Sequence, residues 1–376
     1  MTNGYELKNE KVGNLGIIAM PGCEEIVNKI NDYLLEWRIN EDRQTYIIKT
    51  ECPRFADGQG KAVLRESVRG HDIYIVCDVL NYGVKFSMYG MEIPMSPDNH
   101  FQDLKRIIAA IGGKARRITV IMPYLYESVQ DAKRMRESLD CALALQELTQ
   151  MGVANIIVFD AHNTKVQNAI PLRGFDNIQP HYQMIKAILN HVPDVSLDKK
   201  SCMIISPDEG AMARCMNYSS MLGLELGMFY KRRDHSVIVS GRNPILEHTF
   251  LGGDVMDKDV IVVDDILASG ESLLEVAQQL KSRGAKRIFM FVTFGLFAKG
   301  LDKFDKAHED GIVERVFTTN LIYRNPALKQ RAWYVEVDMS KFISLIIHTL
   351  NHDISIRALL NPAEKIKDML ASKGRI

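Results

Sequence analysis

Short apolar runs alternate along this chain with polar turns and with segments in which apolar residues recur every three or four positions. A compact apolar run bounded by turns reads as a buried strand, and the three-to-four spacing as a helix, so the rhythm predicts a parallel α/β protein. In FQDLKRIIAAIGG, Leu104, Ile107, Ile108 and Ile111 share one helical face, and RRITVIMP follows as a strand. The alternation returns in ESLDCALALQELTQMG and VANIIVFD, then in ESLLEVAQQLKSRGAK and RIFMFVTF, each helix closing near a glycine. GFDNIQPH has turn chemistry and precedes the helical YQMIKAIL, which places a division near residue 178. One domain is expected over 1–178 and a second over 179–376, with a C-terminal segment able to pack back across both.

Composition narrows the class. With 376 residues, 46% hydrophobic and 25% charged, the chain is long enough for two cores. Lys plus Arg equals Asp plus Glu at 47 each, so no excess positive field exists to hold a polyanion, and neither nucleic acid nor an anionic membrane is expected as a partner. The six cysteines are scattered without a C-x-x-C pair and read as reduced core thiols. The opening MTNGYELKNEKVGN lacks a signal-peptide layout, and no apolar run approaches the roughly 18 residues that span a bilayer. A cytoplasmic location is expected.

Four predicted strands deliver polar or acidic residues at their carboxyl ends: VIVVDD at Asp264 and Asp265, IIVFDAH at Asp160 and His162, MIISPDEG at Asp208 and Glu209, and ITVIMPYLYESVQD at Gln130 and Asp131. Open parallel sheets bind ligands beyond those ends. A single acid there is often only a helix cap or turn former, whereas four such ends together favour a site. The sharpest segment is DVIVVDDILASGESLLEVAQQL, in which a strand ends in the acid pair, the loop Ala268, Ser269, Gly270, Glu271, Ser272 follows, and a helix begins at once. Small residues let backbone N–H groups at a helix N-terminus approach an anion, serine hydroxyls can donate, and the carboxylates sit where sugar hydroxyls or Mg²⁺ would lie. A helix capped by Ser269 or Ser272 accounts for the loop but leaves two adjacent acids unexplained. IGGKARR, which lies before a strand and lacks a hydroxyl residue after its lysine, is a helix stop and not a P-loop.

The acid-pair segment resembles the phosphoribosyl-diphosphate motif of the type I phosphoribosyltransferase fold. Reading outward, RFADGQGKAVLRESVRGHDIYIV, ARRITVIMPYLYESVQDAKR, VANIIVFDAHNTKVQNAIP, ISPDEGAMAR, MFYKRRD and NHDISIRALL are similar, in that order, to the ribose-phosphate pyrophosphokinase family. The similarity is greatest to a longer branch found in some Firmicutes. It implies an α/β architecture of two tandem type I phosphoribosyltransferase-like domains, each a mainly parallel sheet flanked by helices. It also implies transfer of the β,γ-diphosphate of Mg-ATP to the C1 hydroxyl of ribose 5-phosphate by a homo-oligomer, dimer or hexamer. Catalysis of that kind is mainly positioning and charge neutralisation.

By the same resemblance Lys231 and Arg233 are the catalytic basic pair at the base of a closing loop, and His162 and Asp208 contact Mg²⁺ and phosphate. Asp264 and Asp265 hold the ribose hydroxyls, and Ala268, Ser269, Gly270, Glu271 and Ser272 form the 5-phosphate loop. Phe55, Asp57 and Gln59 receive adenine, in the family usually from a neighbouring subunit, and Gln130 and Asp131 touch the nucleotide. Four positions depart from the family pattern: Val129 replaces an ATP-contacting arginine, Gln59 a glutamate, Glu271 a glycine, and Ala268 an aspartate common in the loop. Valine supplies neither charge nor a bidentate donor. Three alternatives stay open: a phosphoribosyltransferase, which needs about half this length, a non-catalytic regulatory paralogue, and a synthetase acting on a larger sugar phosphate such as ADP-ribose.

Overall fold

The computed structural model describes residues 11–38, 41, 43–133, 136–233 and 245–372, the side chains of 231–233 and 245–248 excepted. The chain forms two compact units. One runs through Gln179 and takes in Asn320–Tyr323 and Asp338–Asn361; the other runs from Pro180 to Thr319 and takes in Arg324–Val337 and the residues from Pro362 onward.

The first unit opens with β1 (Asn14–Ala19), α1 (Glu24–Trp37), the short strands β2 (Thr50–Glu51) and β3 (Val63–Leu64), and β4 (His71–Val76). The hairpin β5 (Lys85–Met88) and β6 (Met91–Pro94) leads into α2 (Pro97–Ile111), β7 (Arg117–Ile121), α3 (Asp140–Gln150), β8 (Asn155–Phe159) and β9 (Gly174–Ile178). Its main sheet has the order β1-β4-β7-β8-β9, with every neighbouring pair parallel. Helix α2 shows why the sequence folds as it does. Ser96 and Asn99 close a reciprocal capping box, Pro97 occupies the first turn, and Gly112 ends the helix at φ 58°, a left-handed conformation that glycine adopts without strain. Leu104, Ile107, Ile108 and Ile111 face the core, as their spacing requires.

The second unit contains α4 (His181–His191), β10 (Cys202–Ser206), α5 (Met212–Leu222), β11 (Glu225–Arg233), β12 (Ile245–Leu251) and β13 (Asp259–Leu267). It continues with α6 (Glu271–Ser282), β14 (Arg287–Gly295), α7 (Asp302–Glu309), β15 (Arg315–Thr319) and β16 (Tyr334–Val337). The sheet order is β12-β11-β10-β13-β14-β15-β16, parallel except for the β11–β12 edge pair. Strand β10 is buried at every position, which is why it reads as a continuous apolar run and not as an alternation. Val276, Ala277 and Leu280 of α6 pack over Val260, Val262, Ile288 and Met290 in one core.

Three helices close the chain: α8 (Ser340–Asn351), α9 (Arg357–Leu360) and α10 (Ala363–Ser372). Helix α8 buries Ile343, Ile346 and Ile347 and packs on α1, so it belongs to the first unit, whereas α10 packs on α4 in the second. A continuous second domain over 179–376 therefore does not describe the chain. Among the described residues no helix is long and apolar enough to cross a membrane. All six cysteines are free thiols, five of them buried.

Candidate active site

In the second unit the chain leaves β10 toward β11 on one side, while β13 continues toward β14 on the other. The strand order thus reverses between β10 and β13, and the crevice beyond their carboxyl ends is the place where open α/β sheets bind ligands. Asp208, Asp264, Asp265 and the loop 268–272 all follow or end these two strands. Strand β13 does not stop at the acid pair, as the sequence reading expected. It runs on to Leu267 because β14 continues beside it, pairing Ile266 with Phe294 and Leu267 with Gly295. The pair is held in place by that ladder. Asp264 Oδ1 accepts from the Asp265 N–H at 2.9 Å, and Asp265 Oδ1 accepts from the Ile266 N–H at 2.8 Å.

Arg214 on α5 lies 3.3 Å from an Asp265 oxygen and 3.9 Å from Asp264, with its side chain almost covered. Burial, and then the neighbouring Asp265 charge, push the Asp264 carboxyl well above its usual range, while Arg214 pulls it back. Two acids under that tension favour partners that donate hydrogen bonds, such as vicinal hydroxyls, or a cation.

The loop after β13 reaches α6 through Gly270, which has φ 79° and provides no side-chain cap. Ser269 or Ser272 as N-cap is thereby corrected: Ser269 Oγ only accepts weakly from the Glu271 N–H at 3.4 Å. Gly270 also has no room for a side chain, because a Cβ there would lie 2.3 Å from Phe304 Cζ. Glu271, a charge unwelcome beside an anion, is engaged elsewhere. Its carboxylate meets Lys299 Nζ at 2.9 Å and Lys303 Nζ at 2.6 Å, and those two lysines hold its pKa down at about 2. Asp208 is half-buried, and its Oδ1 accepts from the Gly210 and Ala211 N–H groups at 3.0 and 3.3 Å, so it also shapes the turn into α5. Lys231 and Arg233 close β11, where Lys231 pairs with His248 and Arg233 with Ile245. Their side chains lie outside the described residues.

In the first unit Phe55, Asp57 and Gln59 lie on one exposed loop. Arg54 fixes it to α2 through a bidentate pair with the buried Asp103 at 2.8 and 2.6 Å, and the Tyr89 N–H donates to Ala56 O at 2.9 Å from the β5–β6 turn. Gln59 Nε2 donates to Asp57 Oδ2 at 2.7 Å, a bond that a glutamate at this position would be unable to make. Lys61 stands 5.8 Å over the Phe55 ring. Gln130 and Asp131 are not at a strand end, as expected: β7 stops at Ile121, and a turn follows before them. Gln130 Nε2 donates to Ser138 O at 2.8 Å, and Val129 is 65% exposed. His162 is exposed just after β8, next to the buried Asp160, whose φ of 42° is a strained conformation for a non-glycine residue. This unit has a crevice of its own, since Ile47 bridges β1 on the side away from β4. The returning segment meets the residues after β4: Asp78 Oδ2 accepts from the Tyr323 N–H at 2.6 Å.

Arg214 escaped the sequence reading, although ISPDEGAMAR contains it, because nothing in the linear pattern ties α5 to β13. Among the described residues no group of three or more His, Cys, Asp or Glu side chains is placed to hold a metal.

Residues 15–152 match the family described as the N-terminal domain of ribose phosphate pyrophosphokinase, and residues 174–326 match the phosphoribosyl transferase domain. The chain belongs to the ribose-phosphate pyrophosphokinase family. It is 29% identical over 280 residues to the ribose-phosphate pyrophosphokinase of Thermotoga maritima, covering 73% of this chain and 78% of that one. It is 26% identical over 324 residues to ribose-phosphate pyrophosphokinase A of Dictyostelium discoideum, covering 86% and 93%. The phosphoribosylpyrophosphate synthetase of Mycobacterium smegmatis shares the fold, with a TM-score of 0.72 at 21% identity over 90% of this chain and 99% of that one. Within the family architecture, the reversal between β10 and β13 is where this chain assembles its acid pair and its small-residue loop.

Proposed function

We propose that this chain is a ribose-phosphate diphosphokinase that transfers the β,γ-diphosphate of Mg-ATP to the C1 hydroxyl of ribose 5-phosphate, giving 5-phosphoribosyl 1-diphosphate and AMP. The observation that carries the reading is the Asp264–Asp265 pair, approached by Arg214, near the end of the strand that feeds the loop 268–270 and a helix whose N-terminus carries no side-chain cap. Backbone N–H groups of 269–272 and the Ser269 and Ser272 hydroxyls take the 5-phosphate, helped by the α6 dipole. Asp264 and Asp265 accept from the two ring hydroxyls and so orient C1. Glu271, neutralised by Lys299 and Lys303, does not oppose the ester.

Phe55 offers a face for adenine, Asp57 and Gln59 supply polar contacts to its edge, and Gln130 and Asp131 contact the rest of the nucleotide. In a homo-oligomer the adenine loop serves a neighbouring subunit. Lys231 and Arg233 neutralise the migrating diphosphate, the contribution expected where charge builds up during transfer. His162 of the first unit and Asp208 of the second are each a candidate contact to Mg²⁺ or phosphate. Few protein donors suit an ion that keeps waters and binds through substrate phosphates. When bound, the ion offsets phosphate charge and orients the β-phosphorus. The reaction belongs in the cytoplasm, where both substrates occur.

Incubating the protein with Mg-ATP and ribose 5-phosphate and following AMP by chromatography tests this reading. AMP formation that requires the sugar is the expected result. No AMP at any ATP concentration would favour a regulatory paralogue, and pyrophosphate release only with a nucleobase and the diphosphate sugar would mark a phosphoribosyltransferase.

A further inference from the structure

Arg214 has no part in the assignments made from sequence, yet it reaches both members of the acid pair from a rigid base. Helix α5 is anchored between the two strands that form the crevice: Cys215, the next residue, directs its Sγ to Ile205 O of β10 at 3.7 Å and Val263 O of β13 at 3.5 Å. Behind it, His181 of α4 is 3% exposed and meets Tyr218 of α5 edge-on, with ring centroids 4.6 Å apart. Burial first, and the Arg214 charge second, hold His181 down at about 4, so the ring that flanks the guanidinium is neutral near pH 7.

Each carboxylate has one oxygen already fixed by a backbone N–H, Asp264 at 2.9 Å and Asp265 at 2.8 Å. A guanidinium 3.3 Å from Asp265 Oδ2 and 3.9 Å from Asp264 Oδ1 adds an electrostatic restraint on each, and its planar fork favours an orientation that a point charge would not. We propose that Arg214 is a positioning residue that sets the Asp264 and Asp265 carboxylates for two vicinal hydroxyls, and so determines the preference for ribose 5-phosphate over 2-deoxyribose 5-phosphate. The inference rests on the acid pair being the sugar-hydroxyl site, as proposed above.

Calorimetric titration of the full-length protein with each sugar phosphate tests it, alongside Arg214→Met and Arg214→Lys. The wild type should bind ribose 5-phosphate more tightly than the deoxy sugar. Arg214→Met should weaken ribose 5-phosphate by about tenfold or more while changing the deoxy sugar about two- to threefold, so that the preference collapses. Arg214→Lys should recover part of the preference, because it keeps the charge and loses the fork. If Arg214→Met fails to fold, the lysine variant alone carries the comparison. Equal weakening of both sugars, or a preference identical in wild type and Arg214→Lys, overturns the inference. The underlying reading has a separate failure: wild type that makes no AMP from ribose 5-phosphate and ATP.

Discussion

Replacing Gly270 by alanine tests the phosphate loop through two penalties that can be measured apart. The first is conformational. Gly270 sits at φ 79°, where an L-residue costs about 1–2 kcal/mol. The second is steric: the new methyl would stand 2.3 Å from Phe304 Cζ and 2.4 Å from Cε2, well inside contact distance. Phe304 has no easy retreat, since it stacks on Trp333 at 5.4 Å and meets Phe297 edge-on at 5.2 Å. Overpacking of this kind costs about 1–3 kcal/mol, so Gly270→Ala should lose roughly 2–5 kcal/mol in all. Phe304→Leu removes both offending ring atoms, and in that background Gly270→Ala should cost only the conformational part, about 1–2 kcal/mol. Urea unfolding of the four proteins, followed by tryptophan fluorescence, gives the cycle. A loss below about 1 kcal/mol for the single variant, or an equal loss in both backgrounds, would refute the reasoning.

Three further outcomes are expected. The folded pKa of His181, about 4, lies below its unfolded value, so its contribution is complete above about pH 6.5 and is lost as pH falls toward 4. At about pH 5 the loss should be about 2 kcal/mol, visible as a larger drop in urea midpoint from neutral pH for wild type than for His181→Phe; equal drops would count against it. Glu271→Gln should leave the urea midpoint almost unchanged and alter the KM for ribose 5-phosphate by less than about twofold, because Lys299 and Lys303 already neutralise the charge at the surface. A tenfold fall in KM would show that the carboxylate had been opposing the ester. Val129→Arg should lower the KM for ATP, since Val129 is exposed and an arginine there has room to reach out; an unchanged KM would mean that the nucleotide does not pass this position.

The elements that the sequence announced are those whose local chemistry and burial agree. Helix α2 has its cap, its apolar face and its glycine stop within one stretch of chain, and β10 and β14 are mostly apolar because nearly every position is covered on both faces. Positions decided by distant partners were not legible. The neutralisation of Glu271 depends on Lys299 and Lys303, which come after another strand, and the link from Arg214 to Asp265 depends on how α5 lies over the sheet. The extension of β13 past the acid pair follows from the length of β14, a property of the partner strand and not of VIVVDD itself. MPYLY prolongs the apolar run toward Gln130 and Asp131, whereas the strand stops at Ile121 and the chain turns. The exchange of a family glutamate for Gln59 is legible in the sequence, and the bond to Asp57 shows what the extra donor does.

The path of the chain after β15 has a consequence for any attempt to study the halves separately. Because α8 completes the hydrophobic layer beside α1, a gene cut at the junction between Gln179 and Pro180 would leave the upstream fragment without a wall and the downstream fragment carrying an orphaned apolar helix. Neither polypeptide should be well behaved alone, and mixing the two should restore solubility by fragment complementation. The covalent link between the halves thus has a mechanical role, independent of the chemistry that they support.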